Sequence, residues 1–583
     1  MKMKILNIGL AALLLISSAV INADDTTDFA TLLDEQWEWG LANYPVMASR
    51  LGDRRYNDQW QDQSLDAFER RHGEIREFLR RVYAIDRKAL SEADQLNYEL
   101  FRRQLQDDVD VHQFRGHLLP FFHRGGVQNL ENVTNQLRLV TSRDFEDWLA
   151  RMSKVNVVID QQIDLAEAGR KADIIAPKVL MQRVSTQLAL QLVDSPEESP
   201  FHRVFANMPD SVQAEDQQRL QAAALETIDK TILPAYKKLE RYFNDKYLPA
   251  ARDSIGQSAL PNGNAWYEHL ARSFTTTRMT PDEIHRLGLE EVKRIRGEME
   301  KVIAEVEFDG SFRDFLVFLR TDPQFYYDDP DDLYEAYLAT SKRIDPELVN
   351  LFGVLPRMPY GVKPIPDSIA PDTTTAYYTQ PAADGSRAGI YWVNLYKPEV
   401  RPKYEIEVLS VHEAMPGHHL QIALQQELGD MPMFRRFLGF TAFVEGWGLY
   451  SERLGYDLGL YEDPYSRFGQ LTYDMWRAVR LVVDTGIHYK GWTRQQAIDF
   501  FKDNAAKTEH DIVNEIDRYI SMPGQALAYK IGQLRILTLR ERAESRLGDD
   551  FDIKVFHDEL LGGGALPLDI LEQRMDSWLA SQP

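Results

Sequence analysis

The sequence predicts a large, mostly helical, two-lobed fold with one small β-hairpin. Apolar residues recur at three- to five-residue steps through most of its 583 residues, and only two short segments have strand composition. No fixed-period repeat is present, which sets a solenoid aside. Apolar residues make up 44% and charged residues 27%, the balance of a globular chain with a core. The 67 basic and 90 acidic side chains leave a charge of −23, which excludes a nucleic-acid partner, because phosphate binding needs a basic surface.

Taken in order, Lys2 and Lys4 precede an apolar run, Ile5 to Ile21, that ends at Asn22-Ala23-Asp24-Asp25. This is the pattern of a secretory leader over residues 1–23, so an exported protein of the periplasm or cell envelope is expected, with no membrane span after cleavage. There is no cysteine, hence no disulfide and no thiol for lipid attachment. Long amphipathic patterns then cover roughly 27–52, 66–109, 144–170, 177–193 and 211–246. The stretch Leu248 to Gly263, with Pro249, Gly256, Pro261 and Gly263, is the expected boundary between an N-terminal lobe (24–255) and a C-terminal lobe (256–583). Thr280-Pro281-Asp282-Glu283 is a capping box with Pro at the first helical position, and Ile284, Leu287, Val292, Ile295, Met299, Val302 and Val306 form the buried stripe behind it. Thr493 to Gln496 repeats the box. Further helical patterns cover roughly 331–351, 403–427, 435–457 and 465–490. The strand segments are Thr373 to Thr379 and Ala388 to Leu395, with Pro381, Asp384 and Gly385 between them. An exposed edge on that hairpin can bind an extended peptide by strand addition.

Three of the 13 histidines fall in His412-Glu413-Ala414-Met415-Pro416-Gly417-His418-His419, inside an otherwise apolar stretch. Two imidazoles and a carboxylate are the ligands of a catalytic Zn²⁺ with an open position, and a Glu beside the first His is placed to deprotonate water. The position one turn after His412, however, is Pro416. On an ideal helix His419 lies only about 20° from the His412 face and His418 about 120° away. Pro416 and Gly417 predict a bulge instead, and a bulge of two residues brings His418 to the one-turn position. The wheel leaves both open. Glu445, the only charge in Phe443 to Tyr450, is the candidate third ligand, and Glu452 shares its face as a group able to orient a ligand. Arg480, Asp484 and His488 follow at four-residue steps, which predicts one polar network in which Asp484 orients His488, a candidate hydrogen-bond donor in catalysis. Arg518, Tyr519, Tyr529 and Lys530 are rival donors.

The run His412 to Gln421, with Val444 to Gly448, Leu481 to His488 and Pro523 to Lys530, resembles the bacterial family catalogued as domain of unknown function 885. That family is similar to zinc metallopeptidases whose single ion is held by two His and a Glu. The resemblance implies a helical metallopeptidase-like fold in which His412, His418 and Glu445 hold Zn²⁺, with His419 the alternative ligand. It further implies Glu413 as the base, Tyr529 as the favoured donor, and a peptide or small amide as substrate. The rival expectations are a zinc amidase or esterase on another envelope substrate, and a zinc-stabilised binding protein without turnover. The sequence assigns no oligomeric state.

Overall fold

The computed structural model describes residues 6–366, 370, 374–382, 385, 387–429 and 431–583; for 6–24 only the backbone is described. The chain is mostly helical with a small three-stranded sheet. The expected leader therefore lies partly outside the described residues, its remainder forming the first turns of α1, Leu6–Asn43. Among the described residues no helix is long and apolar enough to cross a membrane. Two compact units are present, Met1–Asp253 with Pro432–Arg435, and Ser254–Met431 with Arg436–Pro583.

The first unit is all helical. The 66–109 pattern is two helices, α2 (Leu65–Ala84) and α3 (Glu92–Val111), because Ser91 stops the run by capping α3 through its side chain. Further along, α4 (Ser142–Met152) and α5 (Val155–Lys171) bury Trp148, Met152, Val155 and Ile159. Against them lies α6 (Leu233–Tyr242), whose Tyr236 hydroxyl donates to the Val127 carbonyl at 2.8 Å. Wide π-helical turns, Ile228–Ile232 and Phe243–Tyr247, end one residue before Leu233-Pro234 and Leu248-Pro249. Each proline removes the N–H that a regular turn would use, and the wide turn accommodates the loss. The excursion Pro432–Arg435 joins this unit through Arg435, which donates to Asn97 at 2.9 Å, and through Phe434 against Phe101.

The second unit is organised around two glycine-mediated helix crossings. The capping box at Thr280 forms, and α7 (Pro281–Glu305) follows it. The sheet comes next: β1 (Tyr360–Pro364), β2 (Ala376–Thr379) and β3 (Gly389–Val393), in the order β1-β3-β2. The antiparallel β2–β3 pair is the expected hairpin, although Thr373 and Asp384 of that expectation lie outside the described residues. The parallel strand β1 was not foreseen, since Gly361 and Pro364 give it weak strand character. The helices α8 (Ile406–Glu413), α9 (His418–Glu427), α10 (Thr441–Leu454), α11 (Pro464–His488), α12 (Glu509–Ser521) and α13 (Ala528–Leu547) complete the part that matters here.

Helix α11 is buried along almost its whole length. It packs on α7 at Gly288, where an added Cβ would meet Leu481 Cβ at 2.7 Å and Val482 Cγ2 at 2.8 Å. The other crossing joins α10 to α13, where Gly446 and Gly532 face each other and a Cβ on Gly446 would lie 2.5 Å from the Gly532 Cα. The buried charges of α11 are matched by neighbouring helices. Asp474, for instance, accepts from Lys530 at 2.6 Å and from Arg294 at 3.1 Å.

Candidate metal centre

The expected bulge is instead a complete break. Helix α8 stops at Glu413, residues 414–417 turn sharply, and α9 begins at His418. Pro416 has no N–H to continue the ladder. Gly417 packs against the carbonyl of His412 so closely that no side chain fits. Trp447 holds the turn from outside by donating its indole N–H to the Pro416 carbonyl at 2.8 Å.

This path brings His418, not His419, beside His412. One side-chain atom each from His412, His418 and Glu445 lies within 4.8 Å of the other two. Glu445 Oε2 is 3.9 Å from His412 Nε2 and 3.5 Å from His418 Nε2. Ligands of a tetrahedral Zn²⁺ at about 2 Å stand roughly 3.3 Å apart, so the two carboxylate–imidazole separations are close to what one divalent ion requires. The donor chemistry fits too, with two imidazoles and one carboxylate. The rings of His412 and His418 stand at 86° with centroids 4.8 Å apart. They have room because Gly448 carries no side chain; a Cβ there would be 2.9 Å from His412 Cε1 and 3.2 Å from His418 Cε1.

The segment Glu445-Gly446-Trp447-Gly448 thus combines four tasks in four residues: a candidate ligand, a helix crossing, an anchor for the turn and space for two imidazoles. The sequence reading singled out Glu445 and missed the rest, although paired glycines flanking a Trp in a helix were a usable signal.

His412 is buried, and its Nδ1–H donates to Glu452 Oε1 at 2.9 Å, which leaves the Nε2 lone pair toward Glu445 and His418. Burial drives its pKa well below the usual value, with His418, Arg477 and Arg480 acting in the same direction. Glu452 is completely enclosed, and burial pushes it up to about 8 against the pull of Arg477, whose guanidinium stands 3.4 Å away. Arg477 was not anticipated.

Glu413 follows His412 at the end of α8 and lines the site. Burial raises its pKa, opposed by His418, while Glu445 pushes the same way as burial. The backbone N–H of Tyr378 on β2 acts against burial and lowers this pKa. The register explains why that N–H is free: Asn394 N–H donates to the Thr375 carbonyl at 3.0 Å, so 375, 377 and 379 face β3 while 376 and 378 turn their backbone groups outward.

Several expected residues lie elsewhere. His419 belongs to the sheet side: its Nε2–H donates to the Met358 carbonyl at 2.9 Å and its Nδ1 accepts from the Tyr378 hydroxyl at 2.8 Å. Both nitrogens are used, and burial lowers its pKa to about 4. His488 is fully buried, accepting from Gln257 N–H at 3.0 Å and donating to the Tyr519 carbonyl at 2.9 Å, so it does not face the three ligands. Asp484 accepts from the Tyr267 hydroxyl at 2.6 Å and from Gly524 N–H at 3.0 Å rather than orienting His488. The expected Arg480–Asp484–His488 network is therefore absent; the three point from one helix toward different neighbours. Lys530 is consumed by Asp474, Gln533 and Glu291. Tyr529, in the first turn of α13, does lie near the ligands: its pKa is raised by burial and then by the Glu445 carboxylate, and the Arg480 guanidinium stacks 4.4 Å from its ring centroid. Arg480 also donates to the Tyr519 hydroxyl at 2.8 Å and to Glu515 at 3.2 Å. Arg518 pairs with Glu515 at 2.9 Å and bonds Gln525 at 2.8 Å.

A family model described as "Bacterial protein of unknown function (DUF885)" matches residues 45–575. Two solved structures are similar in fold. The first, described as the putative lipoprotein from Colwellia psychrerythraea, is 30% identical, with 96% of this chain and 100% of that chain covered and a TM-score of 0.89. The second, described as a putative lipoprotein of unknown function from Shewanella oneidensis, is 19% identical, with 94% and 99% covered and a TM-score of 0.73. No curated protein matches the chain.

Proposed function

The chain belongs to the DUF885 family of bacterial proteins of unknown function, and from that premise we propose that it is a zinc-dependent hydrolase that cleaves oligopeptides. The observation that carries this reading is the convergence of His412, His418 and Glu445 with Glu413 beside them. A purely structural zinc site is usually closed by a fourth protein ligand and has no use for an adjacent carboxyl.

His412, His418 and Glu445 would hold the ion. Bound there, zinc supplies Lewis-acid polarisation of a carbonyl and acidifies a water molecule. Glu413 would take a proton from the attacking water and return it to the leaving amine as the C–N bond breaks. Glu452 keeps His412 in the Nδ1–H tautomer. Tyr529 donates a hydrogen bond to the developing oxyanion. The outward-facing edge of β2 lies against Glu413 and offers backbone groups to an extended peptide, which favours a peptide over other amides.

We assign the enzyme to the cell envelope on the leader pattern at residues 1–23 and on the description of the similar Colwellia psychrerythraea structure as a putative lipoprotein. These 583 residues include no cysteine that could carry a lipid.

The test combines metal analysis with a panel of peptides, non-peptide amides and esters. The zinc-loaded protein should hydrolyse peptides, and Glu413→Gln should abolish turnover while keeping the metal. Turnover only of esters or non-peptide amides would replace the peptidase reading. Unchanged turnover in Glu413→Gln would exclude the proposed base, and metal binding without any turnover would leave a binding protein.

A further inference from the structure

Beside the ligands, on the α11, α12 and α13 side, lies a cationic cluster that the mechanism above does not use. Arg480 is 4% exposed, and two of its nitrogens are engaged, Nε by the Tyr519 hydroxyl and Nη2 by Glu515. Its Nη1 is buried with no hydrogen-bond partner. The rings of Trp476, Tyr519 and Tyr529 lie around this guanidinium at 4.7, 5.6 and 4.4 Å, which offsets part of the cost of its burial but gives Nη1 no acceptor oxygen. Arg518, the second guanidinium, shares the same carboxylate, Glu515, and spends its Nη1 on the neutral amide of Gln525. Two guanidiniums are thus paired with one carboxylate. Asp484, the next carboxyl along α11, is turned to Tyr267 and Gly524 instead.

The cluster adjoins the reaction site. The Arg480 guanidinium stacks on Tyr529, whose phenol feels the Glu445 carboxylate, and Arg480 acts electrostatically on His412. Tyr529 and Glu515 are partly exposed, so the cluster meets solvent at these two side chains. With Nε and Nη2 engaged, Nη1 is the atom left to donate, and an anionic oxygen is the acceptor a guanidinium nitrogen binds best.

We propose that Arg480, supported by Arg518, binds the C-terminal carboxylate of the peptide, so that the enzyme trims peptides from their C-terminal ends. This deepens the peptidase reading and rests on it. A carboxylate at a fixed place relative to Glu413 sets how far from the chain end the scissile bond falls.

The decisive experiment measures binding by calorimetry to zinc-loaded Glu413→Gln protein. The ligands are one peptide as the free acid, the same peptide as the C-terminal amide, and an amide carrying an internal Glu. The acid should bind at least about 10-fold more tightly than either amide, and Arg480→Gln should remove that preference while leaving amide binding unchanged. Arg480→Lys keeps the charge without the fork and should restore only part of it. If Arg480→Gln does not fold, as judged by thermal unfolding, Arg518→Gln should reduce the same preference. Equal binding of acid and amide, equal weakening of both in Arg480→Gln, or Arg480-dependent preference for the internal Glu would overturn the proposal. Hydrolysis by the Glu413 enzyme separates the two readings. Turnover of acid and amide alike sinks this inference alone. Acid-selective, Arg480-dependent binding without turnover supports the carboxylate site and counts only against the hydrolase.

Discussion

Gly448→Ala tests the metal centre without touching a ligand. The new Cβ would sit 2.9 Å from His412 Cε1, 3.1 Å from His412 Nε2 and 3.2 Å from His418 Cε1. Carbon pairs settle near 3.5–4.0 Å, so both imidazoles must retreat by roughly 0.5 Å. His412 cannot yield freely, because its Nδ1–H is tied to the enclosed Glu452. Displacement of that size in a ligand set should weaken zinc binding about 10–100-fold, the range seen when ligand orientation is lost. Overpacking should cost the metal-free protein about 1–3 kcal/mol. The assay is a competition titration of metal-free protein against a chromophoric chelator, with denaturant unfolding run in parallel. Gly297→Ala is the control: Gly297 lies in α7 with nothing within 4 Å of an added Cβ. It should leave zinc affinity alone and stabilise by about 0.5–1 kcal/mol. Unchanged zinc affinity in Gly448→Ala would refute the packing argument and, with it, the assignment of these two imidazoles as joint ligands.

Burial raises the Asp484 carboxyl from its ordinary 3.8 to about 7. Folded and unfolded chains both carry the proton below about pH 4, the unfolded chain alone loses it between about 4 and 7, and above that the cost levels off. Stability from this group is therefore full in acid and lost as pH rises, by on the order of 4 kcal/mol. Asp484→Asn should remove that slope and be the more stable protein above pH 7; parallel pH-stability curves for the two would contradict it. Lys530→Met leaves Glu291 and Asp474 with Arg294 as their remaining cation, and should cost about 3–5 kcal/mol in denaturant unfolding. A loss below about 1 kcal/mol would show that the cluster tolerates removal of the lysine.

Local signals carried much of the fold. Thr280 and Thr493 announce their helices because a capping box is written entirely within four residues. The ligand problem was different in kind. Helical-wheel arithmetic favours His419, since it assumes a continuous helix, and only the break at 414–417 reverses the choice. That break depends on Trp447 and on the Gly417 contact with His412, partners the wheel does not include. The polar stripe of α11 failed for a related reason. Arg480, Asp484 and His488 share a face, but in a helix buried on all sides a shared face meets several neighbours, and each side chain found its own.

The two consecutive histidines point opposite ways. His418 faces Glu445, while His419 grips the Tyr378 hydroxyl and the Met358 carbonyl next to the sheet. A single peptide unit is then the mechanical link between the strand that would carry a substrate and the atom cluster that would cut it. Inserting one residue between Gly417 and His418 would move His418 into the sheet-side place and leave the cutting centre without its second imidazole, while deleting His418 would move His419 to the centre and leave the sheet without its clasp. The doublet is therefore a point where drift in chain length is intolerable, even though either histidine alone looks interchangeable with its neighbour.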